Sequence, residues 1–226
     1  MSEPDNAPPR PTKRAFRSPR AWLILMCVAV VGLSLDLGLK QWSFDNVASA
    51  PVVLDRQELL NNQYWRIPRH EPMVLLDGIL TLHLVENRGA VFGIGADHRI
   101  FFIAFTVAAL LAAVFVFARS TTHRSWLAHI GIGMILAGGM GNLYDRVAFG
   151  VVRDFLHMFP GGKLPFDWHW PGGSTELFPW VFNTADILLL VGMTLLLLHI
   201  NKRERLQKQS QAAEQNAQGE SVLDEA

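Results

Sequence analysis

Trp126–Tyr144 reads WLAHIGIGMILAGGMGNLY, a run of 19 residues with no Asp, Glu, Lys or Arg. A helix needs about 20 residues to cross a hydrocarbon core of about 30 Å, so this stretch is long enough to span a membrane. Three further stretches match it: Ala21–Leu39 with one charge, Asp36; Ile100–Ala118 with none; and Trp180–Ile200 with Asp186 and, near its end, His199. Strands of a membrane barrel would alternate in segments of about ten residues, which these runs do not. The bland alternative is a soluble protein with four buried core helices. Only 18% of the 226 residues are charged, against about 25% for an ordinary soluble domain. The expected fold class is therefore an all-α integral membrane protein with four transmembrane helices and a small extracytoplasmic β/loop element.

Lys and Arg set the orientation. Arg10, Lys13, Arg14, Arg17 and Arg20 precede the first span, Arg119 and Arg124 follow the second, and Lys202, Arg203, Arg205 and Lys208 follow the fourth. An even number of spans puts all three groups on one side. Both termini are thus expected in the cytoplasm, with connections 41–99 and 145–179 outside. Trp22, Trp42, Trp126 and Trp180 flank span ends, as interfacial indoles do. The expected organisation is a disordered basic tail over 1–20, a four-span unit over 21–200, and a polar tail over 201–226. A cleaved signal peptide is the alternative for the first span, with Ala48-Ser49-Ala50 as the small-residue site. That site lies well past the apolar core, and Pro51 would follow the cut, so the span is expected to be retained. The single cysteine, Cys27, excludes an internal disulfide and reads as a small buried hydrophobe. A net charge of zero gives no field for nucleic acid.

The outer segments are too long for bare turns. Val52-Val53-Leu54 and Leu80–Val85 read as short strands. Loop 156–179 carries Phe159, Phe166, Trp168, Trp170 and Phe178 among glycines, and is expected against the membrane face, gating access.

An ionisable group inside a span costs roughly 2.5–3.5 kcal/mol and is a functional candidate by default. Here such groups gather at the outer helix ends. Asp36 and Lys40 are four apart and able to pair. Asn142 and Asp145 are three apart, followed by Arg146; Asn183 and Asp186 are again three apart; Asp154 lies past the helix breaker Gly150. There is no HExxH, no Cys–His metal spacing and no nucleophile elbow in the sequence. Carboxylates remain. Two facing Asp cannot both ionise cheaply, so one keeps a proton while the other takes one from water. The competing reading of each Asp is an interfacial ion pair.

These residues resemble a known family. Asp36-Leu37-Gly38-Leu39-Lys40 resembles the D-x-x-x-K stretch of the lipoprotein signal peptidases (signal peptidase II). Asn87–Gly93 resembles their N-x-G-A-A-F segment, with Val91 in place of the usual second Ala. Gly141-Asn142-Leu143-Tyr144-Asp145-Arg146 with Gly150–Phe155 resembles G-N-x-x-D-R-x-x-x-G-x-V-x-D-F, and Phe182–Asp186 resembles F-N-x-A-D. The resemblance covers about 21–200. It implies a bacterial inner-membrane aspartic endopeptidase that cuts the signal peptide from diacylglyceryl-modified prolipoproteins, just before the lipidated cysteine, near the outer membrane face. Asp154 and Asp186 are implied as the catalytic pair. Asn87, Gly89, Asn142, Arg146 and Asn183 are implied to line the site, with Asp36, Lys40 and Asp145 in support. No metal or other cofactor is implied. The expected partners are lipid-modified prolipoproteins and membrane lipids, not nucleic acid, and the expected state is a monomer. The segments between Lys40 and Asn87 and between Asp154 and Asp186 are longer than the family leads one to expect.

Two other functions compete. A small transporter or proton relay would use Asp36, Lys40 and Asp186, but would carry polar residues through the membrane depth. An intramembrane protease of the G-x-G-D type needs Asp where Gly139-Met140-Gly141-Asn142 has Asn.

Overall fold

The computed structural model describes residues 13–61, 67–89 and 99–224. Among these, four helices are long and apolar enough to cross a membrane. They are α1 (Pro19–Asn46), α3 (Arg99–Ser120), α4 (Trp126–Ala148) and α5 (Thr184–Asp224); a short α2 (Arg56–Asn61) lies between the first two. Ser18 caps α1 by accepting from the Ala21 amide at 3.3 Å, and Pro19 supplies a pre-set φ in its first turn.

Helix α4 is the hub, packing against α1, α3 and α5. Its glycines make this possible. A Cβ on Gly131 would lie 2.8 Å from the Gly192 carbonyl oxygen, and one on Gly192 would lie 2.6 Å from that of Gly131. Such close backbone approach replaces the hydrophobic drive that lipid does not supply. The outer faces carry Val30, Val31, Phe101, Phe105, Leu111 and Leu197, all exposed. Cys27, expected buried, is exposed among these outward-facing apolar residues.

The small β element is a four-stranded antiparallel sheet in the order β1 (Met73–Leu76), β2 (Leu80–Asn87), β3 (Val152–Met158), β4 (Val181–Phe182). The register sets Leu80 against Met158, Val85 against Asp154 and Asn87 against Val152. Alternation gives the sheet two faces. Leu82, Leu84 and Phe155 pack on Phe44, Val47 and Ala48 at the end of α1. His83, Val85 and Asn87 line a cavity on the other side.

Several boundaries differ from the sequence reading. The fourth helix begins at Thr184, not Trp180; Val181 and Phe182 instead pair with His157 and Leu156 as an edge strand. Pro179 stands before them, and Asn183 and Asp186 form a reciprocal cap that fixes the helix start. Val52–Leu54 is not a strand: its amide contact goes to the helix end (Val52 N to Phe44 O, 2.8 Å), and among the described residues no strand pairs with it. Helix α1 runs past Leu39 to Asn46. Part of the expected N-terminal tail is docked: Arg14 bridges Thr122, and Ala15 is fully buried. Residues 1–12 and the 90–93 part of the Asn87–Gly93 motif lie outside the described residues.

Candidate functional site

Two elements bring the carboxylates together. Helix α4 ends at Ala148, and Gly150 at φ 89° turns the chain into β3. Only a residue without Cβ takes that conformation freely. Three residues into β3 stands Asp154, 1% exposed. Asp186 sits in the first turn of α5, half-buried and facing the same cavity. The two interact electrostatically. Burial first, and then the charge of Asp186, push Asp154 from 3.8 up to about 7, against the opposing hydrogen bonds from Asn87 and Asn183.

Three asparagines hold the pair. Asn87 Nδ2 donates to Asp154 Oδ2 at 2.9 Å, and Asn183 Nδ2 donates to Asp154 Oδ1 at 2.5 Å. Asn142 Nδ2 donates to Asp186 Oδ1 at 2.9 Å, while Asp186 Oδ2 accepts from the Asn183 backbone at 3.1 Å. Each amide is oriented by a group that can only donate. The Gly89 amide binds Asn87 Oδ1 at 3.0 Å, the Asp186 amide binds Asn183 Oδ1 at 3.2 Å, and the Lys40 ammonium binds Asn142 Oδ1 at 3.0 Å. With its oxygen so engaged, each asparagine must turn its NH2 to a carboxylate.

Lys40 ties this layer to the one behind it. Its ammonium lies 2.8 Å from Asp36 and 3.4 Å from Asp145, all three fully buried. Asp36 also accepts from the Ala185 amide at 2.8 Å, and a Cβ on Gly141 would collide with its carboxylate. Arg146 donates to the carbonyls of Asn142 and Gly89, both at 3.3 Å, and lies over the Phe102 ring. The structure therefore gathers all ten residues singled out in the sequence around one point. Asp154, Asp186, Asn87, Asn142, Asn183, Arg146 and Gly89 form the inner layer. Asp36, Lys40 and Asp145 form the outer one.

The sequence reading missed Arg153, Gln41 and Arg99. Arg153 is 3% exposed, lies 2.9 Å from Asp145 through Nη2 and donates to Gln41 at 3.0 Å. Strand alternation was the available signal, since it puts Arg153 on the face opposite Asp154. Arg99, at the start of α3, donates to the Arg146 carbonyl at 2.8 Å.

The pair opens on a cavity of about 1920 Å³. On its membrane side, Phe101, Phe102, Phe105 and Leu110 of α3 face Ile187, Leu189 and Leu190 of α5. Its outer end is bounded by His83, His157, Glu176 and Phe178.

Fold and site together define a polytopic membrane protein with a carboxylate pair, one member buried and one half-buried, at the mouth of a cavity between its spans. The chain belongs to the signal peptidase II family, whose description matches residues 28–202. It is 35% identical over 141 residues to a lipoprotein signal peptidase of Symbiobacterium thermophilum, covering 62% of this chain and 82% of that protein. A lipoprotein signal peptidase of Clostridium tetani is 32% identical over 156 residues, covering 68% and 88%. A solved bacterial membrane enzyme has the same fold, with a TM-score of 0.58 at 23% identity over 85% of this chain and 93% of that one.

Proposed function

We propose that this chain is an aspartic endopeptidase of the bacterial membrane that removes the signal peptide from lipid-modified prolipoproteins, with Asp154 and Asp186 as its catalytic pair. Membership of the signal peptidase II family supports the peptidase activity and the lipoprotein substrate. The observation that carries the chemistry is the carboxylate pair, held by three amides at the head of an apolar cavity.

The environments of the two Asp divide their roles. Asp154, buried and raised to about 7, carries the shared proton near neutrality. Asp186, half-exposed to the cavity, acts as the base. It takes a proton from water as the oxygen attacks the scissile carbonyl, and Asp154 gives its proton to the carbonyl oxygen. Collapse of the tetrahedral diol breaks the C–N bond: Asp186 gives its proton to the leaving nitrogen, one diol hydroxyl returns its proton to Asp154 as the carboxyl forms, and the pair is back in its starting state. Arg146 and the asparagines position the peptide backbone beside the pair. The Phe-rich wall of α3 suits acyl chains, which supports a cut next to the lipid-bearing cysteine. The basic flanks support a topology with both termini in the cytoplasm and the site near the outer face.

The test uses purified protein in detergent with a lipidated prolipoprotein, scored for the shortened product. Asp154→Asn and Asp186→Asn should each abolish cleavage while substrate still binds, and a chelator should leave the rate unchanged. Near-normal turnover by either variant refutes the pair.

A further inference from the structure

We propose that the outer lobe of the cavity, bounded by His83, His157 and Glu176, is a charge-selective seat for the mature polypeptide that follows the lipidated cysteine, with Glu176 favouring a basic side chain there. The inference rests on the reading of Asp154 and Asp186 as the cutting pair.

The cavity has two clusters of polar groups. One is the pair with its asparagines. The other lies outward along the same strand face, where Asn87, Val85 and His83 occupy alternate positions of β2 and all line the cavity. Asn87 touches Asp154. From Asn87 to His83 is four residues, about 13 Å of extended chain. The neighbouring strand supplies His157, three residues beyond Asp154.

A substrate cut at this pair has its signal helix on one side of the bond and its water-soluble part on the other. The helix and acyl chains belong with the apolar walls of α3 and α5. The soluble part has to leave outward, along His83 and His157. An extended chain covers about 13 Å in about four residues, so the side chain near the fourth residue after the cysteine meets the second cluster.

That cluster is built. His157 Nε2 lies 3.2 Å from the Phe178 carbonyl, to which it donates, and 3.6 Å from Glu176 Oε2. His83 stacks on His70 at 5.1 Å, and His70 accepts from the Leu84 amide at 3.1 Å. Burial, then His70 and His157, hold His83 below the usual histidine range, so it serves as a neutral hydrogen-bonding group. Glu176 comes from the long insertion between β3 and β4. That insertion is a small hairpin, with Lys163 bridged to Glu176 and Leu177 N bonded to Gly162 O at 2.7 Å. Its base is packed by Trp170 against Trp180 at 4.6 Å. The Glu176 side chain, 45% exposed, stands at the cavity edge, while Lys163 across the bridge lies outside the lining. The extra length thus places one carboxylate where the departing chain passes.

The experiment measures kcat/KM in detergent for lipidated prolipoproteins that differ at one residue, Lys or Glu, at the third, fourth or fifth position after the cysteine. The wild-type protein should favour Lys over Glu roughly fivefold at one of these positions, the size of a half-exposed ion pair. The ratio should fall to about one in Glu176→Gln, invert in Glu176→Lys, and shrink as salt rises. A wild-type ratio of one at all three positions overturns the proposal, as does a wild-type preference that Glu176→Lys leaves unchanged. Glu176→Gln is the check against misfolding, read by its thermal midpoint. Asp186→Asn is run alongside: if it still cleaves, the reading of the pair fails, while the Lys/Glu ratios still report on the rim.

Discussion

Replacing Asp154 by Asn should change how stability depends on pH, by an amount the structure sets. Asp154 is raised from 3.8 to about 7, mainly by burial. At 1.36 kcal/mol per pH unit this corresponds to about 4 kcal/mol between the two protonation states. The folded protein holds this proton more tightly than the unfolded chain does. The stabilising effect is therefore complete below pH 3.8, declines as pH rises, and is lost above about pH 7. Between pH 5 and 8.5 the wild-type protein should lose close to 3 kcal/mol from this group alone. Asp154→Asn cannot lose a proton, so its curve should lack that component. The assay is thermal unfolding in detergent across this range for both proteins, read as the difference between curves, in which groups not coupled to Asp154 cancel and Asp186 is read together with it. Parallel curves would refute the buried, proton-holding Asp154. The same proton sets the alkaline limb of the activity profile, which should fall as pH passes about 7. The acid limb belongs to the pair as a unit.

Asn142→Ala and Asn183→Ala each remove a hydrogen bond to a carboxylate, a change of about 1.5–3 kcal/mol, and should lower kcat roughly ten- to a hundredfold with the protein still inserted; wild-type rates from both would remove them from the site. Arg153→Ala leaves the fully buried Asp145 short of a partner and should cost about 3–5 kcal/mol, so an unchanged thermal midpoint would contradict the pairing. Reporter fusions at residues 60 and 122 should report opposite sides of the membrane, and the same side for both would overturn the topology.

The site was readable in the sequence because the membrane makes charge expensive. Asp36, Lys40, Asp145 and Asp186 stood out against apolar runs, and helical spacing already put Asp36 beside Lys40. Asn183 and Asp186, three apart, close the reciprocal cap at the start of α5. The boundary at Trp180 was misread because Val181 and Phe182 are equally apolar in a span and in an edge strand; the deciding partner, β3, is distant in sequence. Val52–Leu54 has strand-like side chains but, among the described residues, no strand to pair with, a fact of tertiary structure. Gln41 and Arg99 were hidden for the same reason. Gln41 meets Arg153 across 112 residues, and Arg99 meets the Arg146 carbonyl across 47.

The arrangement also accounts for the choice of amides around the carboxylates. A Lys or Arg hydrogen-bonded to both would hold both ionised, and the pair would have no proton to give. Serine offers a single donor that rotates to suit its surroundings. Asparagine donates without charge, provided something fixes which end faces the carboxylate. For Asn87 and Asn183 a backbone amide does so. For Asn142, inside a helix, the buried Lys40 and the Asn183 side-chain amide take that place. A cation at this depth then needs its own counterions, which Asp36 and Asp145 provide. Asp145 carries a second ion pair, to Arg153 on the reverse face of the strand that presents Asp154. The buried charges behind the site thus keep an uncharged donor turned toward Asp186, and Arg146, the cation that faces the pair, donates to the carbonyls of Asn142 and Gly89.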